Sequence, residues 1–217
     1  MKRRITTLCR DRMGATAVEF AMVLPLLLLL LLGIIDAGRW MWTLNRAEKA
    51  TQFGVRYAVV TDMVPNGLTN YSFAAQGNVP QGQVVDQSNF GGASCTFNGT
   101  VATCTCKTAK CGPANLINNQ ANANAAFGLI VKCMHRILGE LPGSAVQVDY
   151  INSGLGFSGD PNGPDISPLV RVSIVKDGIP FTPIALFNQL TFPMPQVSAE
   201  LTMEDGQGSD FSKCPSS

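Results

Sequence analysis

Seven cysteines, one histidine, three spaced glycines and one acid inside an apolar stretch are the residues in this chain that could do chemistry. Cys95, Cys104, Cys106, Cys111, Cys133 and Cys214 form an even set far from Cys9. An even set in an oxidising compartment reads as three disulfides, and six cysteines allow fifteen pairings. Zinc is the competing chemistry. The spacing C-x-C-x4-C in "CTCKTAKC" (104–111) lacks the paired C-x2-C of a structural zinc site, so no metal is expected. His135 is the only histidine, and any Ser-His-Asp or Cys-His catalyst would have to use it. It falls between helix-core positions Met134 and Ile137, which favours a structural place and no catalytic role. Gly154, Gly156 and Gly159 have G-x-G-x-x-G spacing. A dinucleotide loop needs a helix opening at the third glycine, and Pro161, Pro164 and Pro168 forbid one, so a loop between strands is expected. Glu204, Asp205 and Asp210 lack the alternating spacing of a calcium loop and read as a solvated tail. "NGT" at 98–100 fits a glycan sequon, too short a pattern to decide anything. No G-x4-G-K-[ST] loop is present, so nothing here would hold ATP. No cofactor and no enzymatic activity are expected.

The remaining candidate is Glu19, at the mouth of the uncharged run Phe20–Ile35. As a helix those sixteen residues span about 24 Å, short of a roughly 30 Å hydrocarbon core. Extending back to Ala15 supplies the length and brings Glu19 into the bilayer, where an acid is costly and usually has a job; the competing reading of the same length places Glu19 at the headgroup level. Charge sets the orientation. Lys2, Arg3, Arg4, Arg10 and Arg12 against Asp11 give residues 1–14 a charge of +4, and the chain's net +1 leaves −3 for the rest. A basic end before an apolar run stays cytoplasmic while the remainder is exported. With so balanced a total, no nucleic-acid partner is expected. A cleaved secretory signal competes, yet "IIDAG" is a poor cleavage site and helical character continues beyond it. In "WTLNRAEKATQFGVRYAVV", Leu44, Ala47, Thr51, Tyr57 and Ala58 share a stripe that excludes Arg46, Glu48, Lys49 and Arg56. One helix from about Thr16 to Val60 is expected, with a kink or local unwinding near 21–25 because Pro25 removes a backbone donor.

The string "GATAVEFAMVLPLLLLLLLGIIDAGR" resembles the start of the TadE/TadG-type pseudopilins of tight-adherence (Tad, Flp-type) pilus systems. Its Gly, four residues, then Glu and Phe resembles the site where a membrane peptidase trims type IV prepilins. "LNRAEKATQFGVRYAVV" is similar to that family's second helical half, and "PLVRVSIVKDGIPFTPIALF" resembles its strand segment. The likeness covers the first 60 residues and, loosely, 130–205; the cysteine-bearing stretch 90–115 is outside it. It implies a leader at 1–14, a cut after Gly14 and a new N-terminus at Ala15. Glu19 then becomes the fifth mature residue and meets the α-amine of a neighbouring subunit, with Phe20 and Pro25 beside it in the assembly segment. The implied partners are the membrane, a prepilin peptidase, other pilin subunits, and indirectly a platform protein and an ATPase. Major Flp pilins are very short, so 217 residues imply a minor subunit with an exported head. The implied location is the inner membrane, single-pass, with a cytoplasmic N-terminus. The alternative is an uncleaved single-span anchor carrying an exported binding module.

The elements of the head follow from pattern. The helix crosses the membrane at about 17–37 and continues as an amphipathic stalk to about 60; the head occupies 61–217. Residues 61–113 are rich in turn formers, with a weak strand at Val84–Asp86 and a stapled hairpin over Cys95–Thr105 around "FNGT". Residues 114–139 read as a helix with Leu116, Ile117, Phe127, Ile130, Val131, Met134, Ile137 and Leu138 at helical spacing. "SAVQVDYI", "PLVRVSIV" and "PQVSAELTM" alternate as strands, and "KDG" is expected to turn the second into "IPFTP". The expected fold is α+β and pilin-like: a long N-terminal helix, then a helix packed on a small antiparallel sheet, stabilised by disulfides.

Overall fold

The computed structural model describes residues 12–179, 181–184, 193–203 and 214, without the side chains of Arg12, Met13 and Ala15. Cys9, most of the leader and the acidic tail Glu204, Asp205 and Asp210 lie outside the described residues. The order is helix α1 (Arg12–Ala58), strands β1 (Ala93–Phe97) and β2 (Ala102–Cys106), helix α2 (Gln120–His135), and strands β3 (Val146–Ile151), β4 (Leu169–Ile174) and β5 (Val197–Thr202). The class is α+β, with a five-stranded antiparallel sheet in the order β2-β1-β3-β4-β5. The chain divides into two compact units. One comprises Met1–Thr43 with Thr182–Thr191; the other comprises Leu44–Phe181 with Phe192–Ser217.

In the larger unit, the end of α1 is part of the core. Ala47, Ala50, Thr51, Gly54, Val55 and Ala58 are buried, at the i, i+3, i+4, i+7, i+8, i+11 positions of one helical face. All are small, which lets the helix lie close to its neighbours. A Cβ built on Gly54 would come within 2.9 Å of Met134 on α2 and 3.1 Å of Val172 on β4. Arg46 stands beside this stripe and donates from Nε and Nη2 to the carbonyl of Ile137, at 2.9 and 2.6 Å. A backbone acceptor just past the end of α2 is thereby satisfied.

The buried row of the sheet follows its register. Cys104, Cys95, Val148, Val172 and Ala199 stand opposite one another across all five strands, the middle three buried and the two on the edge strands half-buried. Helix α2 brings Phe127, Ile130 and Met134 into the core, and Phe127 stacks on Phe97 of β1 with centroids 5.2 Å apart. On β3, Asp149 pairs with Lys107 at 2.9 Å and receives Gln147 Nε2 at 3.0 Å. Burial opposes ionisation of Asp149. Hydrogen bonds from Gln147, Ser94 and Lys107, with the ammonium charge, outweigh it and hold the carboxyl below its usual value. Next to it, Tyr150 is fully buried and its hydroxyl accepts the Val64 N–H at 3.1 Å. Burial pushes that phenol well above its ordinary value.

Three expectations are corrected. Helix α2 begins at Gln120 and ends at His135, not at 114 and 139. Asn66 Oδ1 accepts the N–H groups of Asn118 and Asn119, at 2.8 and 3.1 Å, and Gly67 N–H donates to the Leu116 carbonyl. With those backbone groups satisfied elsewhere, Asn119 stays extended and caps the helix through the Asn122 N–H. At the other end Ile137 and Leu138 close onto the Met134 carbonyl, and Gly139 to Gly143 carry the chain away. Second, "KDG" does turn, with Asp177 at φ 60° and Gly178 N–H on the Val175 carbonyl, but no strand follows in the described part of "IPFTP". The place beside β4 is taken by β5. Third, of the two outcomes expected near 21–25 the local unwinding is not found, since α1 remains helical there; Pro25 has no N–H to offer the Ala21 carbonyl. The weak strand at 84–86 is a single bridge, Val84 to Phe157.

Candidate functional site

The residues tied to assembly by sequence pattern all lie near the start of α1. Gly14 and Ala15 are the third and fourth residues of the helix. Gly14 is exposed, with open space where a Cβ would stand. Thr16 to Ile35 spans about 30 Å, matching a hydrocarbon core. Its apolar side chains face outward: Phe20 is 66%, Met22 75% and Leu26 71% exposed. In water such a surface is untenable; in lipid it is the required one. By length and composition this helix can cross a membrane. Glu19 is exposed on the same segment, with no hydrogen bond or ion pair among the described residues. A lone carboxylate on a lipid-facing helix needs a partner.

The apolar run ends at a site that sequence reasoning missed. Asp36 is 8% exposed, and both its oxygens accept the Ile184 N–H at 3.0 Å. Arg39 Nη1 lies 3.1 Å from Asp36 Oδ1, one turn further along, and 3.5 Å from the Thr182 carbonyl. The smaller unit thus ties a distant stretch of chain to the point where the apolar run stops. The sequence signal was the acid closing that run; the partner, a backbone N–H 148 residues away, leaves no pattern.

The cysteines resolve into three pairs at disulfide distance: Cys95 with Cys104, Cys106 with Cys111, and Cys133 with Cys214, with Cα separations of 4.1, 5.7 and 5.6 Å. The first staples β1 to β2 across directly opposed positions. The hairpin turn is made by Asn98, whose Oδ1 accepts the N–H groups of Thr100 and Val101, and by Gly99 at φ 101°. The third pair fastens residue 214 to α2. His135 ends α2 and its Nε2 meets the Leu141 carbonyl, a local helix-end contact. Gly154, Gly156 and Gly159, all at positive φ, lie in the β3–β4 loop. Gly156 is required there, because a Cβ would meet the Asp165 carbonyl at 2.6 Å. Among the described residues no three His, Cys, Asp or Glu side chains are grouped to hold a metal ion.

A helix apolar enough over its first half to cross a membrane, joined in sequence to a disulfide-bearing α+β head, defines a class: the α+β protein with a candidate N-terminal membrane anchor. The first half carries a more specific mark. Residues 14–56 match the family model described as TadE-like protein. The match begins at Gly14 and takes in Glu19, Phe20, Pro25, Asp36 and Arg39. No curated protein matches the chain, and no solved structure does.

Proposed function

We propose that the chain is a non-catalytic structural subunit of a Tad-type pilus, a minor pilin or pseudopilin acting in pilus biogenesis, adherence or secretion. The carrying observation is the TadE-like match over residues 14–56, within which Glu19 has no partner among the described residues and stands on a lipid-compatible helix. In this reading a prepilin peptidase cuts between Gly14 and Ala15. The new α-amine and the Glu19 carboxylate are then four residues apart, on one helix face and about 6 Å apart along the axis. A neighbouring helix displaced by about one turn brings its amine level with this carboxylate. The ion pair sets the stagger of adjacent helices and penalises arrangements that leave the acid unpaired in lipid. Phe20 and Pro25 lie within the same packing segment. The N-terminus is cytoplasmic, the anchor sits in the inner membrane and the head is exported. The partners are other pilin subunits, with a platform protein and ATPase acting on the assembly.

N-terminal sequencing of the membrane-extracted protein tests the reading. A start at Ala15 supports it; an intact leader supports the plain anchored binding module instead. Glu19→Gln should leave cleavage intact and lower incorporation into fibres, and normal incorporation would refute the pairing.

A further inference from the structure

In the larger unit, a polar cleft of about 320 Å³ opens between the turn after α1 and the start of α2. Its frame is Asn66, which donates from Nδ2 to the Asn119 carbonyl at 2.6 Å and accepts from Asn118 and Asn119 N–H. Close backbone approach locks the two loops. A Cβ on Gly67 would fall 2.3 Å from the Asn115 carbonyl, and Gly67 N–H bonds the Leu116 carbonyl at 2.9 Å. The cleft is therefore held open before any ligand arrives.

The remaining wall is Asp62, Thr69, Asn70, Asn118 and Asn122. Among the described residues none of these five side chains has a hydrogen bond or ion pair to protein. Three amides, a hydroxyl and a carboxylate thus line one concavity, with Asp62, Asn70, Asn118 and Asn122 exposed to solvent and Thr69 half-buried. The chemistry narrows the occupant. No Lys or Arg lines the cleft and Asp62 would repel an anion. No apolar side chain lines it, which removes a lipid, an aromatic ring or the side-chain pockets of a peptide site. A single carboxylate is a poor charge count for a free divalent cation. What fits is a neutral ligand whose groups each donate and accept, as sugar hydroxyls do against amide N–H2 and C=O.

We propose that this cleft is a saccharide-binding site, sized for one or two sugar rings, with Asn70, Asn118 and Asn122 reading hydroxyls and Asp62 accepting from a hydroxyl pair. It lacks an aromatic platform, so binding is weak and suited to multivalent use. The proposal does not rest on pilus membership, and its failure leaves that reading untouched.

The test uses the full chain in a detergent without a sugar headgroup. Saturation-transfer NMR is run with free glucose, galactose, mannose and N-acetylglucosamine. Transfer to at least one sugar is expected, with affinity about tenfold lower in the Asn70→Ala/Asn118→Ala variant, which loses two hydrogen bonds. The exposed control Gln87→Ala should bind as the parent does. A far-UV dichroism spectrum matching the parent certifies that the double variant is folded. Transfer to none of the four sugars overturns the proposal, as does transfer unchanged in the double variant. Terbium luminescence that depends on Asp62, or transfer to a glycine–alanine peptide alone, would assign the cleft to a cation or to a peptide and also overturn it.

Discussion

Removing the three disulfides one pair at a time should destabilise the head by unequal amounts, in an order set by chain separation. Cys133 and Cys214 are 81 residues apart, Cys95 and Cys104 nine, and Cys106 and Cys111 five. A cross-link removes loop-closure entropy from the unfolded chain, and the loss grows with the logarithm of loop length. At 25 °C that relation gives about 4.5, about 2.6 and about 2.1 kcal/mol for the three. Replacing each pair by alanine avoids burying a hydroxyl at Cys133, which is fully enclosed in α2. With a urea dependence of about 2 kcal/mol per M, the midpoint should fall by about 2 M for Cys133→Ala/Cys214→Ala and about 1 M for Cys106→Ala/Cys111→Ala. Far-UV dichroism of the full chain in mild detergent follows the transition. If losing the 106–111 pair costs as much as losing the 133–214 pair, the entropic reasoning is wrong. Retention of all three midpoints under reducing agent would show that the bonds do not form.

Other perturbations probe the packing. Tyr150→Phe strips the Val64 N–H of its acceptor in a buried place and should cost about 1–3 kcal/mol, read as a urea midpoint. Gly54→Leu drives a side chain into Met134 and Val172 and should cost about 1–3 kcal/mol or more, whereas Gly54→Ala asks for a shift of the flexible Met134 and a smaller one of Val172, and should cost less. Asp149→Asn should weaken the head at neutral pH and leave it nearly unchanged in strong acid. The folded carboxyl titrates below its unfolded value of about 3.9, so its contribution is present above that value and lost as pH falls through the lower folded one. Urea midpoints of parent and variant should therefore differ at neutral pH and draw together as pH is lowered through the acid range.

Much of this protein is legible from local pattern. The long apolar helix, able to cross a membrane, follows from an uncharged run behind a basic end, since hydropathy and charge act residue by residue. The strands over 146–151, 169–174 and 197–202 follow from alternation, and the β1–β2 staple from two cysteines flanking an Asn-Gly turn. The glycines at 154, 156 and 159 were legible as a loop because prolines follow them. Where α2 begins was not, because Leu116 and Ile117 keep a helical period while Asn66, some fifty residues earlier, holds the N–H groups of Asn118 and Asn119 outside the helix. Nor was the replacement of "IPFTP" by β5 beside β4 legible, since several alternating segments compete for one sheet edge and only the assembled core chooses among them. The partnering of Asp36 with Ile184, the choice of one cysteine pairing from fifteen, and the gathering of spare amides into a single cleft belong to the same kind. Sequence by itself determined what each segment is, because propensity and polarity are properties of neighbours along the chain. Only the tertiary structure decided which distant groups meet, because a hydrogen bond or a disulfide between remote residues depends on the path of everything folded between them.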